Sequence, residues 1–410
     1  MRTTDLRTAG PTRAPTDLHR DGANNTAGVR ADVPGDGRSP VWTGTPRMDV
    51  DLSTSGLAQS DAGSVSGGGQ HASGPWDRDV NAIRSTRRAE SDRGPRFDSP
   101  IAPSGYAWWY IDALSDDGRH GLTGIALLGS VFSPYYFRAR ARGEGDPLNF
   151  SAMNLALYGS SVWNPSARWA MTERGRTAVE RDAHRLAIGP SVLDWDGTRL
   201  EIRVDERAMP LPLRVRGTIR LFPEALAEST WHLDSPGLHR WSPIAPCARI
   251  EVDFENPALK WKGLGYLDSN EGDCPLEDSF VRWDWSRTHG LDGATSLLYD
   301  LTERSALTGS EGLRRTIAAQ ISRDGSSKTL AVPPARVLPP TLIWRIPRAT
   351  HSMVDDLKVE QTLEDTPFYA RSVLRSGAAS GAIMHESLDL DRFKSAWVRA
   401  LLPFRMPRVA

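Results

Sequence analysis

An acidic and aromatic segment near the middle of the chain, GYLDSNEGD at 265–273, carries the residue types that acid–base chemistry needs. Its carboxylates lie close to Tyr266, and two tryptophan-containing motifs flank it, HRW at 239–241 and WDW at 283–285. A carboxyl group among aromatic rings loses hydration, which favours its protonated form and makes it a proton donor near neutral pH. Sugar-binding and calcium-binding sites use similar residues, so the rest of the chain has to decide between them.

Other kinds of site fit this segment less well. A calcium loop fails in its register, because Gly272 stands where an oxygen ligand is required and Asp273 where the turn glycine belongs. The nine His show no i, i+4 pair and only Cys247 and Cys274 are present, so we expect no metal site. Neither a nucleophile elbow nor a phosphate-binding glycine loop occurs, so we expect no nucleotide cofactor. Glycoside hydrolysis stays open, since 14 Trp could provide sugar platforms beside two carboxylates.

The composition divides the chain into two parts. All 8 Tyr and all 10 Phe lie at Phe97 or later, and the preceding segment is dominated by Gly, Ser, Thr, Asp, Arg and Pro. Such a segment cannot bury enough apolar surface to offset its ordering entropy, so residues 1–95 are predicted to be a disordered leader. It lacks the apolar stretch of a secretory signal, which favours the cytoplasm. The formal net charge of -1 indicates no nucleic-acid partner, and no apolar run is long enough for a membrane-spanning helix.

From Tyr106 onward the sequence predicts an all-β chain. Short strand-like runs alternate with turn residues, and few segments show the 3.6-residue period of a helix. The alternation is interrupted near 237–245, so we predict two β-barrels or sandwiches, at 96–240 and 241–410. Asp196-Gly197 predicts a type I′ hairpin turn within 191–206. The predicted strands cover 106–114, 121–132, 148–159, 191–206, 211–222, 248–255, 279–287, 295–301, 341–346 and 357–365.

The C-terminal segment 391–410 combines apolar with basic residues. It can begin as a short helix that Pro403 ends. This mixture suits a membrane surface, whereas the other interpretation is a helix docked on its own barrel. The apolar members are Phe393, Trp397, Leu401, Leu402 and Phe404, and the basic members are Arg392, Lys394, Arg399, Arg405 and Arg408.

Several long runs resemble one family. FDSPIAPSGYAWWYIDALSDDGRHGLT (97–123), HRWSPIAP (239–246), GLGYLDSNEG (263–272) and SFVRWDWSR (279–287) occur in this order. They resemble the acyclic carotenoid 1,2-hydratases, also called hydroxyneurosporene synthases, of purple phototrophic bacteria. The resemblance implies two consecutive lipocalin-like β-barrels. It also implies cofactor-independent hydration of the terminal C1=C2 bond of neurosporene, lycopene or their 1-hydroxy derivatives to a tertiary alcohol, a step of spheroidene- and spirilloxanthin-type carotenoid biosynthesis.

The resemblance points to four residues of these motifs, for which the chemistry suggests roles. Asp268, in an aromatic pocket that raises its pKa, is the acid that protonates C2 and leaves a tertiary cation at C1. The faces of Trp241 and Tyr266 stabilise that cation through cation–π attraction. His239 orients the attacking water and accepts its proton. The residues assigned to a supporting shell are Asn270, Glu271, Trp283 and Trp285.

The substrate of such an enzyme lies in a bilayer, so the expected partners are an acyclic carotenoid, water and a membrane surface. We therefore expect peripheral association with the inner or photosynthetic membrane through 391–410. A non-catalytic lipocalin-like carrier of carotenoid or another apolar ligand would share the barrel and its aromatic lining. A carbohydrate-active β-protein is the second alternative.

Overall fold

The computed structural model describes residues 85–87, 93–159, 166–377 and 381–409. These described residues belong to one compact unit. The predicted disordered leader, residues 1–95, lies outside the described residues apart from 85–87 and 93–95.

Most of the regular structure is β-strand, which confirms the all-β fold class. The strands are β1 Ser85–Arg87, β2 Tyr106–Ser115, β3 His120–Leu128, β4 Ser151–Gly159, β5 Arg168–Arg174, β6 Val179–Arg181, β7 Arg185–Ile188, β8 Ser191–Trp195, β9 Leu200–Arg207, β10 Arg214–Pro223, β11 Ser229–His232, β12 His239–Asn256, β13 Leu259–Gly272, β14 Phe280–His289, β15 Thr295–Arg304, β16 Glu311–Ile321, β17 Ser327–Thr329, β18 Ala335–Leu338, β19 Arg348–His351, β20 Lys358–Asp365, β21 Tyr369–Arg375, β22 Ile383–Asp389 and β23 Arg408–Val409. The α-helices are α1 Pro134–Ala141, α2 Leu276–Ser279, α3 Leu390–Lys394 and α4 Ala396–Leu401. Short 3-10 helices lie at Pro147–Asn149, Arg176–Ala178 and Leu402–Phe404.

Two curled sheets, antiparallel except for β23, hold nearly all of these strands. Among the described residues the first has 14 strands, in the order β23-β5-β4-β3-β2-β13-β12-β10-β9-β8-β7-β6, with β11 attached to β12 and β1 to β11. The second has 7 strands, β17-β16-β15-β14-β22-β21-β20. Because β12 and β13 pair within the first sheet, the chain changes sheet between Gly272 and Phe280 and not at the predicted boundary 240/241. The division into two separate barrel domains stays a prediction.

Two sequence predictions about strand positions are wrong. The interruption expected near 237–245 is mostly the first part of β12, where shifts of register absorb the prolines. The strand predicted at 341–346 is an irregular loop. Asp365 holds this loop, because its carboxylate accepts the backbone N–H groups of Ile343 and Trp344.

The hairpin predicted at 191–206 is confirmed as β8 and β9, but its turn is centred one residue later than expected. The backbone N–H of Asp196 donates to the carbonyl of Arg199 at 3.2 Å and closes the turn. Gly197, with φ of +92°, and Thr198 are therefore the central residues. Glycine at the first central position is typical of a type II′ turn, whereas the sequence predicts type I′.

The strands enclose two main apolar cores. Alternation along β2 decides which residues enter each core. Trp109 lies in the first core, which the first sheet encloses, whereas Tyr106 and Tyr110 lie in the second core, towards the second sheet. β13 divides in the same way, with Leu267 in the first core and Tyr266 in the second. The second core, between the sheets, is therefore where the acidic and aromatic motifs meet.

The C-terminal segment is docked against the sheets. The helices α3 and α4 follow β22, and β23 pairs in parallel with β5. Phe393 and Val398 are fully buried, so the docked interpretation is right for them. Trp397, Leu401 and Phe404 remain exposed.

Candidate active site

Three neighbouring strands bring the predicted residues together. β13 lies between β2 and β12, with Asp268 opposite Tyr110 on one side and Pro243 on the other. Because side chains alternate along a strand, Tyr266 and Asp268 share one face of β13. Trp241 on β12 joins them, and the whole face packs against β14 of the second sheet.

Asp268 is buried at the centre of this face, with only 2% of its surface exposed. Its Oδ2 accepts a hydrogen bond from Trp241 Nε1 at 2.8 Å and one from the Tyr266 hydroxyl at 2.7 Å. Burial raises the pKa of Asp268 to about 8, against the lowering effect of these two hydrogen bonds. The carboxyl group therefore carries a proton at neutral pH.

The position of that proton follows from the hydrogen bonds. Oδ2 of Asp268 already receives two donated hydrogens, so the acid proton belongs on Oδ1. Oδ1 is itself buried and has no hydrogen-bond partner among the described residues. A carboxyl proton that no other acceptor shares is available to a weak base such as a carbon–carbon double bond.

Aromatic rings surround the carboxyl group. The Trp285 ring lies 5.4 Å from the ring of Tyr266 and 5.3 Å from that of Tyr110. The Trp283 ring lies 5.2 Å from the ring of Tyr299. Both tryptophans assigned to the supporting shell thus lie in the same aromatic cluster as the acid. A cation formed here would meet several ring faces.

His239 lies at the start of β12, away from the acid on β13. It pairs with Gly272, four positions from Asp268 on the neighbouring strand. Its Nδ1 is hydrogen-bonded to the Tyr106 hydroxyl at 2.9 Å and its Nε2 to the Ser279 hydroxyl at 2.8 Å. Burial lowers the pKa of His239 to about 4, so the ring is neutral at pH 7. The predicted role of His239 towards water stays a prediction.

Of the two polar residues assigned to the supporting shell, only Asn270 faces the site. It is buried, and its side-chain nitrogen lies 3.4 Å from the Tyr299 hydroxyl. Glu271 lies on the opposite face of β13, where its carboxylate is 3.7 Å from Arg240 in a partly exposed ion pair. The alternation that places Asp268 inside places Glu271 outside, so the structure does not bring Glu271 to the site.

A cavity of about 390 Å³ opens beside the site. Its walls are mostly aromatic and aliphatic, with Tyr110 and Trp283 at the end near the acid and Phe404 at the C-terminal end. Asp268 does not line the cavity itself but lies behind Tyr110, whose ring contacts that of Tyr266 at 6.1 Å. A cavity of this size accepts one end of a long apolar molecule.

The sequence matches one family over most of its length. The family model described as carotenoid hydratase CrtC covers residues 124–410. The chain belongs to the carotenoid hydratases. It is 48% identical to the acyclic carotenoid 1,2-hydratase of Thiocapsa roseopersicina, over 100% of both chains. It is 47% identical to the protein of the same name from Rubrivivax gelatinosus, over 95% of this chain and 94% of the other.

One solved structure that aligns with most of the chain is more distant in sequence. Kievitone hydratase from Nectria haematococca aligns with 73% of this carotenoid hydratase and 98% of its own chain, at 9% identity and a TM-score of 0.39. At that distance the likeness says nothing of activity.

In the part of the chain that the structure describes, no three His, Cys, Asp or Glu side chains lie together so that they could hold an ion. Cys274 lies 3.4 Å from Nε2 of His239. Burial raises the pKa of the Cys274 thiol, so it stays protonated at neutral pH.

Sequence reasoning missed the polar end of the cavity in this carotenoid hydratase. Glu386 and Arg371 line it, and the Tyr110 hydroxyl lies 2.7 Å from Glu386 Oε1. Behind them Asp112 and Arg287 form a fully buried ion pair, and Asp112 Oδ2 is 3.0 Å from the same hydroxyl. Alternation within YAWWYIDAL could have placed Tyr110 and Asp112 on the site face. The sequence near Glu386 carries no comparable signal.

Proposed function

We propose that this chain adds water across the terminal C1=C2 bond of an acyclic carotenoid and forms a tertiary alcohol at C1. One observation carries the proposal: Asp268 is buried among aromatic rings with its Oδ1 free of any hydrogen-bond partner in the described part of the chain, and this burial raises its pKa to about 8. The similar proteins from Thiocapsa roseopersicina and Rubrivivax gelatinosus are named for this activity. The proposed substrates are neurosporene, lycopene and their 1-hydroxy derivatives, in spheroidene- and spirilloxanthin-type biosynthesis.

The reaction begins with proton transfer from Asp268 Oδ1 to C2. The C2–H bond forms as the π bond breaks, which leaves a positive charge on C1 and a negative charge on the carboxyl group. The hydrogen bonds from Trp241 and Tyr266 to Oδ2 strengthen when that oxygen becomes charged. The two donors therefore stabilise the transition state more than the ground state.

The tertiary cation is stabilised by the aromatic rings without forming a bond to them. Each ring face contributes on the order of 0.5–2 kcal/mol at a desolvated site. The rings proposed for this role belong to one buried cluster: Trp241, Tyr266, Trp283 and Trp285. To reach Oδ1 from the cavity, the C1=C2 end has to pass the ring of Tyr110.

Incubation of the purified protein with lycopene in liposomes and oxygen-18 water tests this function. Mass spectrometry should find a tertiary alcohol that carries the label. Lycopene that binds but stays unchanged would favour the carrier alternative. If the protein neither forms the alcohol nor binds lycopene, lycopene is contradicted as a substrate.

Hydration should decline as the pH rises above about 8. Only protonated Asp268 donates, and its raised pKa of about 8 means that the active form dominates below this pH. Well above it, kcat/KM should fall about tenfold per pH unit, since one proton is lost. A profile from about pH 6 to about pH 10 measures this, and a rate that stays constant throughout would contradict the acid role.

The carotenoid would enter from a membrane surface at the C-terminal end of the cavity. Phe404 is 73% and Ile343 72% exposed there, and the Trp344 ring stacks on that of exposed Trp397 at 5.9 Å. The exposed Arg405 also lines the cavity. Aromatic, aliphatic and basic side chains on one surface favour the interface of an anionic bilayer. No helix in the described part of the chain is long and apolar enough to cross a bilayer.

The double substitution Ile343→Ser and Phe404→Ser should weaken binding to anionic phospholipid vesicles at least about tenfold, because it removes apolar surface that the bilayer would bury. Vesicle co-sedimentation measures this. Leu291→Ser, at a side chain 94% exposed in the turn after β14, is the matched control and should bind as wild type does. Equal vesicle binding by wild type, the double variant and Leu291→Ser would contradict membrane association through this end of the cavity. Substitution is preferable to deletion of 391–410, because that segment contributes buried Phe393.

A further inference from the structure

Hydration of a cation needs a second group besides the acid. A water molecule that bonds to C1 carries an extra proton until a base removes it. This requirement rests on the proposed function. His239, predicted for this role, does not line the cavity; among the described residues, the carboxylates that do are Glu364, Asp365 and Glu386.

We infer that Glu386 is the general base that takes the proton from the attacking water. It lies on β22, directly opposite Trp285 of β14. Arg371 Nε donates to Oε1 of Glu386 at 2.9 Å, and the Tyr110 hydroxyl lies 2.7 Å from the same oxygen. With both contacts on Oε1 and 17% of the side chain still exposed, Oε2 is left to accept a proton.

The register places Glu386 beside the same aromatic cluster that surrounds the acid. Its strand partner Trp285 contacts the ring of Tyr266, which in turn donates to Asp268. The pKa of Asp268 is raised first by burial and further by the negative charge of Glu386, so the two carboxyl groups lie near enough to interact. A cation at C1 between them would have its acid on one side and its base on the other.

Trp285, the strand partner of Glu386, carries a hydrogen-bond donor. The residue is 4% exposed, and its Nε1 has no hydrogen-bond acceptor among the described residues. A water molecule accepts from an N–H group while it donates to a carboxylate. Trp285 and Glu386, paired across two strands, offer these two groups.

The other carboxylates of the cavity differ from Glu386 in position. Glu364 accepts from Tyr158 and from Arg371 through one oxygen, as Glu386 does from Tyr110 and Arg371, but it lies on the edge strand β20. Asp365 accepts the backbone N–H groups of Ile343 and Trp344 and so holds the loop at the cavity mouth. Neither is paired with a residue of the aromatic cluster in the way that Glu386 is paired with Trp285.

The protons balance without any further reactant. The water oxygen bonds to C1 as one of its O–H bonds breaks, and that proton moves to Oε2 of Glu386. Glu386 later releases it to solvent. The carboxylate of Asp268 takes a proton from solvent, which its raised pKa favours at neutral pH. The net change is the addition of one water molecule to the alkene.

Glu386→Gln in deuterated water separates protonation from hydration. Asp268 still delivers deuterium to C2, but the cation then loses a proton or deuteron back to Asp268 and reforms an alkene. We expect recovered lycopene to gain deuterium while alcohol formation falls about 10²- to 10⁴-fold. Glu386→Asp should recover part of the activity. Formate should restore hydration to Glu386→Ala, because it supplies a carboxylate beside Arg371.

Glu303→Gln is the matched control for loss of a half-buried Arg–Glu pair. Its carboxylate lies 3.3 Å from Arg315, the two side chains are 13% and 7% exposed, and Glu303 does not line the cavity. Hydration should stay near the wild-type rate. The inference would be overturned if Glu386→Gln hydrated lycopene within a few fold of wild type, or lost deuterium exchange together with hydration. Wild-type protein that neither exchanges nor hydrates would instead remove the proposed function.

Discussion

Asp268→Asn should abolish measurable hydration while the protein stays folded. The amide keeps the size of the side chain, and its oxygen can still accept from Trp241 and Tyr266, but it has no acidic proton to give to C2. Loss of a general acid costs about 10²- to 10⁴-fold in rate, which would bring the hydration of an unactivated alkene below detection. Product formation from lycopene, measured by mass spectrometry against wild type, checks the expected loss.

Two controls accompany this variant. Asp273→Asn changes a carboxylate of the same motif that is exposed and paired with Arg240, and it should keep hydration. The folded-state pKa of Asp268 is raised, so the contribution of this group to stability is fully present below about pH 4 and is lost as the pH rises to about 8. Asp268→Asn should lack this loss and be the more stable protein at alkaline pH. Near-normal turnover by Asp268→Asn would end the acid assignment.

Tyr266→Phe should slow hydration and move its pH dependence in the alkaline direction. The hydroxyl donates to Asp268 Oδ2 at 2.7 Å and lowers the pKa that burial has raised. A hydrogen bond to a charged group is worth about 1.5–3 kcal/mol. Because the carboxylate formed in the transition state loses this bond in Tyr266→Phe, hydration should be about 10- to 150-fold slower. Without the donor the pKa of Asp268 rises further, so the loss of activity begins at a higher pH. Profiles of kcat/KM against pH measure both effects.

Tyr299→Phe serves as the control for Tyr266→Phe. It removes a buried hydroxyl from the same cluster, but one whose hydrogen-bond partner is Asn270 at 3.4 Å and not Asp268. The pH at which activity declines should therefore stay unchanged in Tyr299→Phe. A purely structural role for Tyr266 would lower the rate without moving this pH, which would contradict the assignment.

The local pattern of the sequence was sufficient for much of the site. Asp268 and Tyr266 lie two residues apart on one strand, so alternation alone places both on one face. Glu271 shows the same rule in reverse: an odd spacing from Asp268 puts it on the solvent side. The segment 265–273 is not among the predicted strands, although most of it lies in β13, and a strand there predicts an outward-facing Glu271.

Long-range pairing was the part that the sequence could not provide. Prolines near 237–245 indicated a break, whereas pairing with β13 holds this stretch in β12 through bulges. Glu386 reaches the cluster only because β22 pairs with β14, a contact between distant parts of the chain. The buried Asp112 and Arg287 are likewise joined across the two sheets.

The protonation state of Asp268 is the most direct test of the central claim. Infrared difference spectra between wild type and Asp268→Asn, recorded across pH, isolate the C=O stretch of this one carboxyl group. A protonated-carboxyl band that persists at neutral pH and disappears with a midpoint near pH 8 is the result expected from the raised pKa. A carboxylate signal at neutral pH, with a midpoint at about pH 4 as for a free Asp, would contradict acid catalysis by Asp268.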